Sequence, residues 1–136
     1  MVFALRLIMV FLGLLFVWIG FGFVSSPMEA GPDFGITGME TNGLSALRAD
    51  FTAFFWVAGG AFLWAAWRNI AGVLLVPAAL FAIAFFGRTI SLFADGFYEG
   101  WWMPMAVEAL SFVVSILGYS FLPKHRNRGF QPAPLD

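Results

Sequence analysis

Four long stretches with almost no charged residue constrain the fold of this chain more than any other feature. They are Leu7–Val24, Phe51–Trp67, Ile70–Gly87 and Trp101–Leu122, and only the last contains a charge, at Glu108. A helix rises about 1.5 Å per residue, so about 20 residues cross the roughly 30 Å hydrocarbon core of a bilayer. Strands with an open edge would leave backbone groups unpaired in lipid. The sequence therefore predicts four membrane-spanning helices.

Composition supports the same environment. Hydrophobic residues make up 61% of the chain and charged residues 11%, against about 25% charged in a soluble domain. The stretch Leu7–Val24 is also longer than the roughly 7–15 apolar residues of a cleaved secretory signal. We therefore expect it to be retained as the first helix.

The connections between the stretches predict the topology. Ser25–Thr41 contains five helix-breaking residues and is expected to be a loop, whereas Arg68-Asn69 makes a tight turn. Pro77 lies inside the third stretch and should kink it. The prediction is one all-α domain over residues 1–123, an up-down-up-down four-helix membrane bundle, followed by a polar tail at 124–136. Its helices are expected at about 4–24, 45–67, 70–93 and 104–122.

Basic residues predict the orientation of the bundle. One set of helix ends carries five of them, and the other set carries most of the acidic residues together with Arg48 and Arg88. Lys and Arg are enriched on the cytoplasmic side of membrane proteins, so both termini are expected to be cytoplasmic. The five basic residues are Arg6, Arg68, Lys124, Arg126 and Arg128.

Several classes of function are disfavoured by residue content. The chain has no Cys, so disulfides and thiolate metal sites are excluded. His125 is the one His and lies in the tail, which excludes a bis-His haem site inside the bundle. The net charge of −1 gives no reason to expect nucleic acid as a partner. We predict no cofactor, no metal site and no catalytic group.

Polar residues at similar depths near the outer side form the candidate binding site. Helical spacing places Arg88, Ser91 and Asp95 on one face of the third helix, and Glu108 and Ser111 on one face of the fourth. If these faces turn inward, they form a polar pocket that opens outward over an aromatic floor. The candidate ligand-binding residues are Arg48, Asp50, Arg88, Ser91, Asp95, Glu108 and Ser111.

Glu108 is the most informative of these residues. A charge in the apolar part of a bilayer costs at least about 2.5–3.5 kcal/mol, so Glu108 is expected to pair with Arg88 or Arg48. Arg suits this role because its planar fork binds a carboxylate through two hydrogen bonds. An alternative reading is purely structural, in which the charges anchor helix ends at the interface or hold two helices together.

Three functional classes remain open at this point. The first is a non-enzymatic bundle that binds a lipid, a quinone-like or other amphiphilic small molecule, a membrane protein partner or a second copy of itself. The second is a small oligomeric transporter, although the first helix carries no acidic residue to couple transport. The third is an intramembrane enzyme with Glu108, Asp95 or Glu99 as acid or base, for which the chain offers no nucleophile.

Two segments resemble the bacterial DUF4345 family. Asn42–Ala49, followed by a helix of aromatic and small residues, looks like the second helix of that family. Gly87-Arg88 and Leu92–Gly96 are similar to the end of its third helix. The resemblance implies a small four-helix protein of the bacterial inner membrane, with Arg48 and Arg88 as shared features and no known function.

The sequence departs from that family at one place. Members often carry a Glu two residues before the Arg of the second helix and a Gly pair shortly after it. Here these positions hold Ala46 and Thr52-Ala53. A site that needs that carboxylate would be compromised unless Asp50 replaces it.

Overall fold

The computed structural model describes residues 2–123, and this part of the chain is entirely helical apart from short connections. Four segments are long and apolar enough to cross a membrane: Val2–Ser25, Thr41–Arg68, Gly72–Ala94 and Trp102–Phe121. The predicted all-α class and the four long apolar helices are thereby confirmed. The predicted tail at 124–136, including His125, lies outside the described residues.

The helix count differs from the prediction because the first connection is itself partly helical. Helix α1 (Val2–Ser25) is followed by the short α2 (Pro27–Ala30) and a 3₁₀ turn at Pro32–Phe34. Pro27 and Pro32 each stand at the start of a helical turn, where a missing backbone N–H costs nothing. Residues predicted only as helix breakers therefore begin short helices here.

The second long segment is also composite. It comprises α3 (Thr41–Ala46), a π-helical turn (Leu47–Phe51) and α4 (Thr52–Arg68). The turn contains both Arg48 and Asp50. A π turn is closed by i→i+5 hydrogen bonds in place of i→i+4 bonds, so the backbone is wider here than in α4.

The last two long helices are α5 (Leu75–Ala94) and α6 (Trp102–Phe121). A 3₁₀ turn at Gly72–Leu74 precedes α5, so Pro77 is the third residue of the α-helix. An amide at that position has no partner within the helix. The predicted kink within the third helix is therefore corrected, because Pro77 lies in the first turn of α5.

Close backbone contact joins α1 to α4. A Cβ atom added to Gly59 would lie 2.7 Å from the carbonyl oxygen of Gly13, and one added to Gly13 would lie 3.0 Å from the carbonyl oxygen of Gly59. Small residues allow helices to approach closely where burial from water supplies no driving force. Phe16 adds a ring contact here, with its centroid 6.0 Å from that of Phe55 and 6.2 Å from that of Phe62.

Two arginines join opposite ends of the same helix pair. Arg6 donates from Nε and Nη2 to the Ala66 carbonyl oxygen, at 3.0 and 2.6 Å. Arg48 donates from Nε to the Val24 carbonyl oxygen at 3.1 Å. The last four carbonyls of a helix lack intrahelical partners and lie at the negative end of its dipole, so a guanidinium is a favourable cap. These contacts also show that α1 and α4 run antiparallel.

Two uncharged side chains continue this row of contacts. The Thr52 hydroxyl donates to the Gly20 carbonyl oxygen at 3.3 Å, and the Trp56 Nε1 donates to the Val17 carbonyl oxygen at 3.2 Å. Arg48, Thr52 and Trp56 are each four residues apart along the second segment. One side of that segment is therefore bonded to the backbone of α1 over more than two turns.

The outward surface of the helices is apolar. Fewer than half of the residues in each apolar window are buried. Phe93 is 83% exposed and Trp18 is 74% exposed, and both lie within long helices. Contiguous exposed patches of this kind are rare on soluble monomers.

The glycine contact gives a matched pair of substitutions for testing the α1–α4 interface. We predict that Gly59→Ala lowers the free energy of unfolding by about 1–3 kcal/mol, because the new methyl group meets the Gly13 carbonyl. Gly60→Ala should be neutral or stabilising by up to about 1 kcal/mol, since nothing lies within 4 Å of its added Cβ. Denaturation by SDS in mixed micelles measures both, and equal effects would contradict the described interface.

Candidate functional site

An ion pair joins α5 to α6. Arg88 Nη2 lies 2.9 Å from Glu108 Oε1, and Arg88 Nε lies 3.1 Å from the same oxygen. Within residues 2–123 this is the one ion pair. The prediction that Glu108 pairs with an arginine is confirmed, and Arg88 rather than Arg48 is the partner.

The polar face of α6 is buried, as its spacing predicts. Glu108 is 7% exposed, and Ser111 and Ser115 are fully buried. Gly118 continues this face and lies against Leu74, so the helix packs closely there. Glu108 therefore points into the protein and not outward from it.

The carboxylate of Glu108 is only half paired. Both Arg88 donors contact Oε1, whereas Glu108 Oε2 is buried without a hydrogen-bond partner among the described residues. Ser111 Oγ, one turn further along α6, is likewise buried and unpartnered in the described part of the chain. A third such atom, Asn69 Oδ1, lies in the turn at the other end of α5. Each unpaired buried group costs about 1–3 kcal/mol.

Arg88 forms the accessible edge of the site. Its side chain is 32% exposed, and its Nη1 donates to the Tyr98 hydroxyl oxygen at 3.3 Å. A guanidinium has five N–H donors, and three are used by Glu108 and Tyr98. Tyr98 belongs to the connection between α5 and α6, and no pattern in the sequence identified it as part of the site.

The ion pair lies well inside the apolar helices. Glu108 is six residues after the start of α6 at Trp102, and Arg88 is six residues before the end of α5 at Ala94. At about 1.5 Å per residue, both lie about 9 Å from the ends of α5 and α6 that meet at their connection. The two charges are therefore at one depth, which is why they can pair.

Ser91 and Asp95 form a separate contact at the end of α5. The Ser91 hydroxyl donates to Asp95 Oδ2 at 2.6 Å, and both residues are exposed. They share the sequence face of Arg88, but they lie one and two turns nearer the helix end. The structure thus places them at the rim and not inside the site.

Arg48 and Asp50 lie on the other helix pair. Both are exposed on the π-helical turn, and Arg48 is bonded to the backbone of α1. Neither forms a hydrogen bond or an ion pair with Arg88 or Glu108. The structure therefore divides the predicted cluster, with Arg88, Glu108 and Ser111 together and Arg48 and Asp50 apart.

Two cavities of the described residues lie away from the ion pair. One of about 100 Å³ is lined by residues of the first connection, among them Pro27, Met39 and Leu47. The other is an open apolar groove of about 640 Å³ along α1, between Phe11 and Phe21. Within residues 2–123 no group of three His, Cys, Asp or Glu side chains could hold a metal ion.

Comparison with known families identifies the chain. Residues 4–119 match DUF4345, a domain of unknown function. The chain belongs to the DUF4345 family. The match confirms the resemblance seen in the sequence and covers every candidate binding residue of this DUF4345 protein. No curated protein and no solved structure is significantly similar to it.

A double-mutant cycle tests whether Arg88 is the specific partner of Glu108. Arg88→Met should cost about 3–5 kcal/mol of unfolding free energy, because it leaves a buried carboxylate unpaired. Adding Glu108→Met should recover most of the lost unfolding free energy, because no unpaired charge then remains. Arg48→Met should cost only about 0.3–1 kcal/mol through loss of its exposed cap on Val24, with no coupling to Glu108→Met. Equal coupling of both arginines to Glu108, measured in SDS titrations, would contradict the assigned pair.

Proposed function

We propose that the chain is an integral protein of the bacterial inner membrane that binds the polar group of an amphiphilic molecule at the Arg88–Glu108 pair, without catalysing a reaction. Its helices form an up-down-up-down bundle with both termini in the cytoplasm. The observation that carries this proposal is the half-paired carboxylate of Glu108, buried beside the unpartnered Ser111 hydroxyl.

The exposed apolar surface supports a location in the membrane. Each of the four long segments meets the length and hydropathy needed to span a bilayer. Exposed large side chains occur on all of them, for example Phe11, Trp64, Ile83 and Phe112. Covering such a side chain with apolar material contributes about 1.5–3 kcal/mol. Acyl chains supply that cover for all four helices at once.

The positions of the helix ends support the orientation. Arg6 contacts Ala66, so the start of α1 and the end of α4 lie at the same end of the molecule. The Ala71 N–H donates to the Pro123 carbonyl oxygen at 3.4 Å, which places the end of α6 there too. Arg6 and Arg68 therefore lie at this end, and Pro123 is followed in the sequence by Lys124, Arg126 and Arg128. The positive-inside rule makes this end cytoplasmic.

The geometry of the ion pair supports binding over a purely structural role. An Arg–carboxylate pair that only links two helices is most stable when the guanidinium donates two parallel hydrogen bonds, one to each carboxylate oxygen. Here both bonds from Arg88 go to Oε1, and Oε2 is left as a free acceptor. Ionisable groups at this depth commonly mark ligand or ion sites. A hydrogen-bond donor on a bound molecule would give Glu108 Oε2 the partner that it lacks.

Site-directed labelling tests the orientation, and the absence of Cys makes it simple. Single cysteines at Asp33→Cys and Glu99→Cys should react with a membrane-impermeant maleimide in intact cells. A cysteine at Gln131→Cys should react only after permeabilisation, because the tail follows the cytoplasmic end of α6. The reverse pattern would overturn the proposed orientation.

Native mass spectrometry tests the binding proposal. We expect the wild-type protein, extracted from its own membrane in mild detergent, to carry a stoichiometric small molecule or lipid. Glu108→Gln and Arg88→Met should lose it, because they remove the ion pair. Ser120→Ala is the matched control on α6, since its hydroxyl is exposed and bonds only to the Ile116 carbonyl oxygen.

Circular dichroism of each variant establishes that the helices remain folded. A bound molecule that survives both ion-pair substitutions would contradict the proposed site. A stoichiometric protein that co-purifies in place of a small molecule would instead make the chain an accessory subunit.

A further inference from the structure

Two unpartnered oxygen atoms lie one helical turn apart on α6, on the same buried face. They are Glu108 Oε2 and Ser111 Oγ, from residues three positions apart, which are neighbours on a helix surface. The residues that carry them are 7% and 0% exposed. One bound polar group can therefore reach both atoms.

The hydrogen-bonding capacity of the two atoms restricts that group. An ionised carboxylate oxygen only accepts hydrogen bonds, whereas a serine hydroxyl both donates and accepts. The Ser115 hydroxyl does not supply a partner, because it donates to the Ser111 carbonyl oxygen at 2.7 Å. A single group that bonds to Glu108 Oε2 and also pairs with the proton of the Ser111 hydroxyl has to donate to the first and accept from the second. A hydroxyl does this, whereas an ether or ester only accepts and an ammonium only donates.

Charge restricts the ligand further. Arg88 and Glu108 neutralise each other, so the site as a whole carries no net charge. A net charge on the ligand would have no counter-charge about 9 Å inside the apolar helices, where desolvation is expensive. An uncharged head avoids that cost. An apolar body attached to it can lie along the exposed faces of α5 and α6.

We infer that the site takes an uncharged lipid-like alcohol, whose hydroxyl donates to Glu108 Oε2 and accepts from Ser111 Oγ. This inference rests on the proposed function and specifies the ligand of the same site. The accessible edge is Arg88, whose side chain is 32% exposed. Glu108 Oε2 and Ser111 Oγ are enclosed, so the hydroxyl reaches them only as Arg88 or a neighbouring side chain shifts.

A series of probes that share one chain and differ in the head group tests this inference. Delipidated full-length protein in detergent is titrated with 1-hexadecanol, its methyl ether, hexadecylamine and palmitic acid, and binding is read by native mass spectrometry. We expect 1-hexadecanol to bind in one copy, about tenfold tighter than the ether, since one buried hydrogen bond is left unmade by the ether. The amine and the acid should bind more weakly than the alcohol.

Two serine variants of α6 connect binding to the site. Ser111→Ala should weaken binding of 1-hexadecanol and of its methyl ether by about the same factor, roughly tenfold, because each accepts one hydrogen bond from Ser111; the preference for the alcohol, which depends on donation to Glu108, should persist. Ser120→Ala should alter neither. Both variants retain the Arg88–Glu108 pair, so each is expected to fold.

The outcomes separate this inference from the proposed function. If the ether, the amine or the acid binds as tightly as the alcohol, the ligand class is wrong and the binding site stands. If no probe binds although the protein from its own membrane carries a molecule that depends on Glu108, the inference fails and the proposed function stands. If no probe binds and no native molecule depends on Glu108, both proposals fall.

Discussion

A polar group among apolar helices needs a partner within the protein, and this constraint governs how three arginines join the helices. Arg6 and Arg48 cap the free carbonyls of Ala66 and Val24, and so hold α1 and α4 together at both ends. Between these caps, the helices approach closely enough for glycine to be required. Arg88 is held by Glu108 in the same way, but only through one carboxylate oxygen.

The two helix pairs are therefore joined by different kinds of contact. The α1–α4 pair is bonded from side chains to backbone, through Arg6, Arg48, Thr52 and Trp56. The α5–α6 pair is joined by side chains alone and leaves Glu108 Oε2 and Ser111 Oγ without partners in the described residues. Within the helices, spare hydrogen-bonding capacity at buried atoms is therefore found in the α5–α6 pair, at Glu108 and Ser111 of the described residues. We therefore assign the proposed binding to this pair.

Much of this arrangement was predictable, because hydropathy and helical spacing depend on local sequence. They predicted the four apolar segments and the inward face of Glu108 and Ser111. The choice between Arg88 and Arg48 was not predictable, since it depends on which helices are neighbours and on the use of Arg48 as a cap for α1. The π-helical turn and the helical start at Pro27 are settled by packing and by turn geometry, which composition does not reveal.

The most direct test of this account is a structure determined in lipid nanodiscs of native composition, at a resolution that shows individual side chains. We expect non-protein density between Glu108 Oε2 and Ser111 Oγ, within hydrogen-bonding distance of both and continuous with an apolar chain along α5 or α6. Arg88 should remain on Oε1. A carboxylate with both oxygens bonded to Arg88 or to Ser111, and no added density beside it, would contradict the account and leave the ion pair as a structural link between two helices.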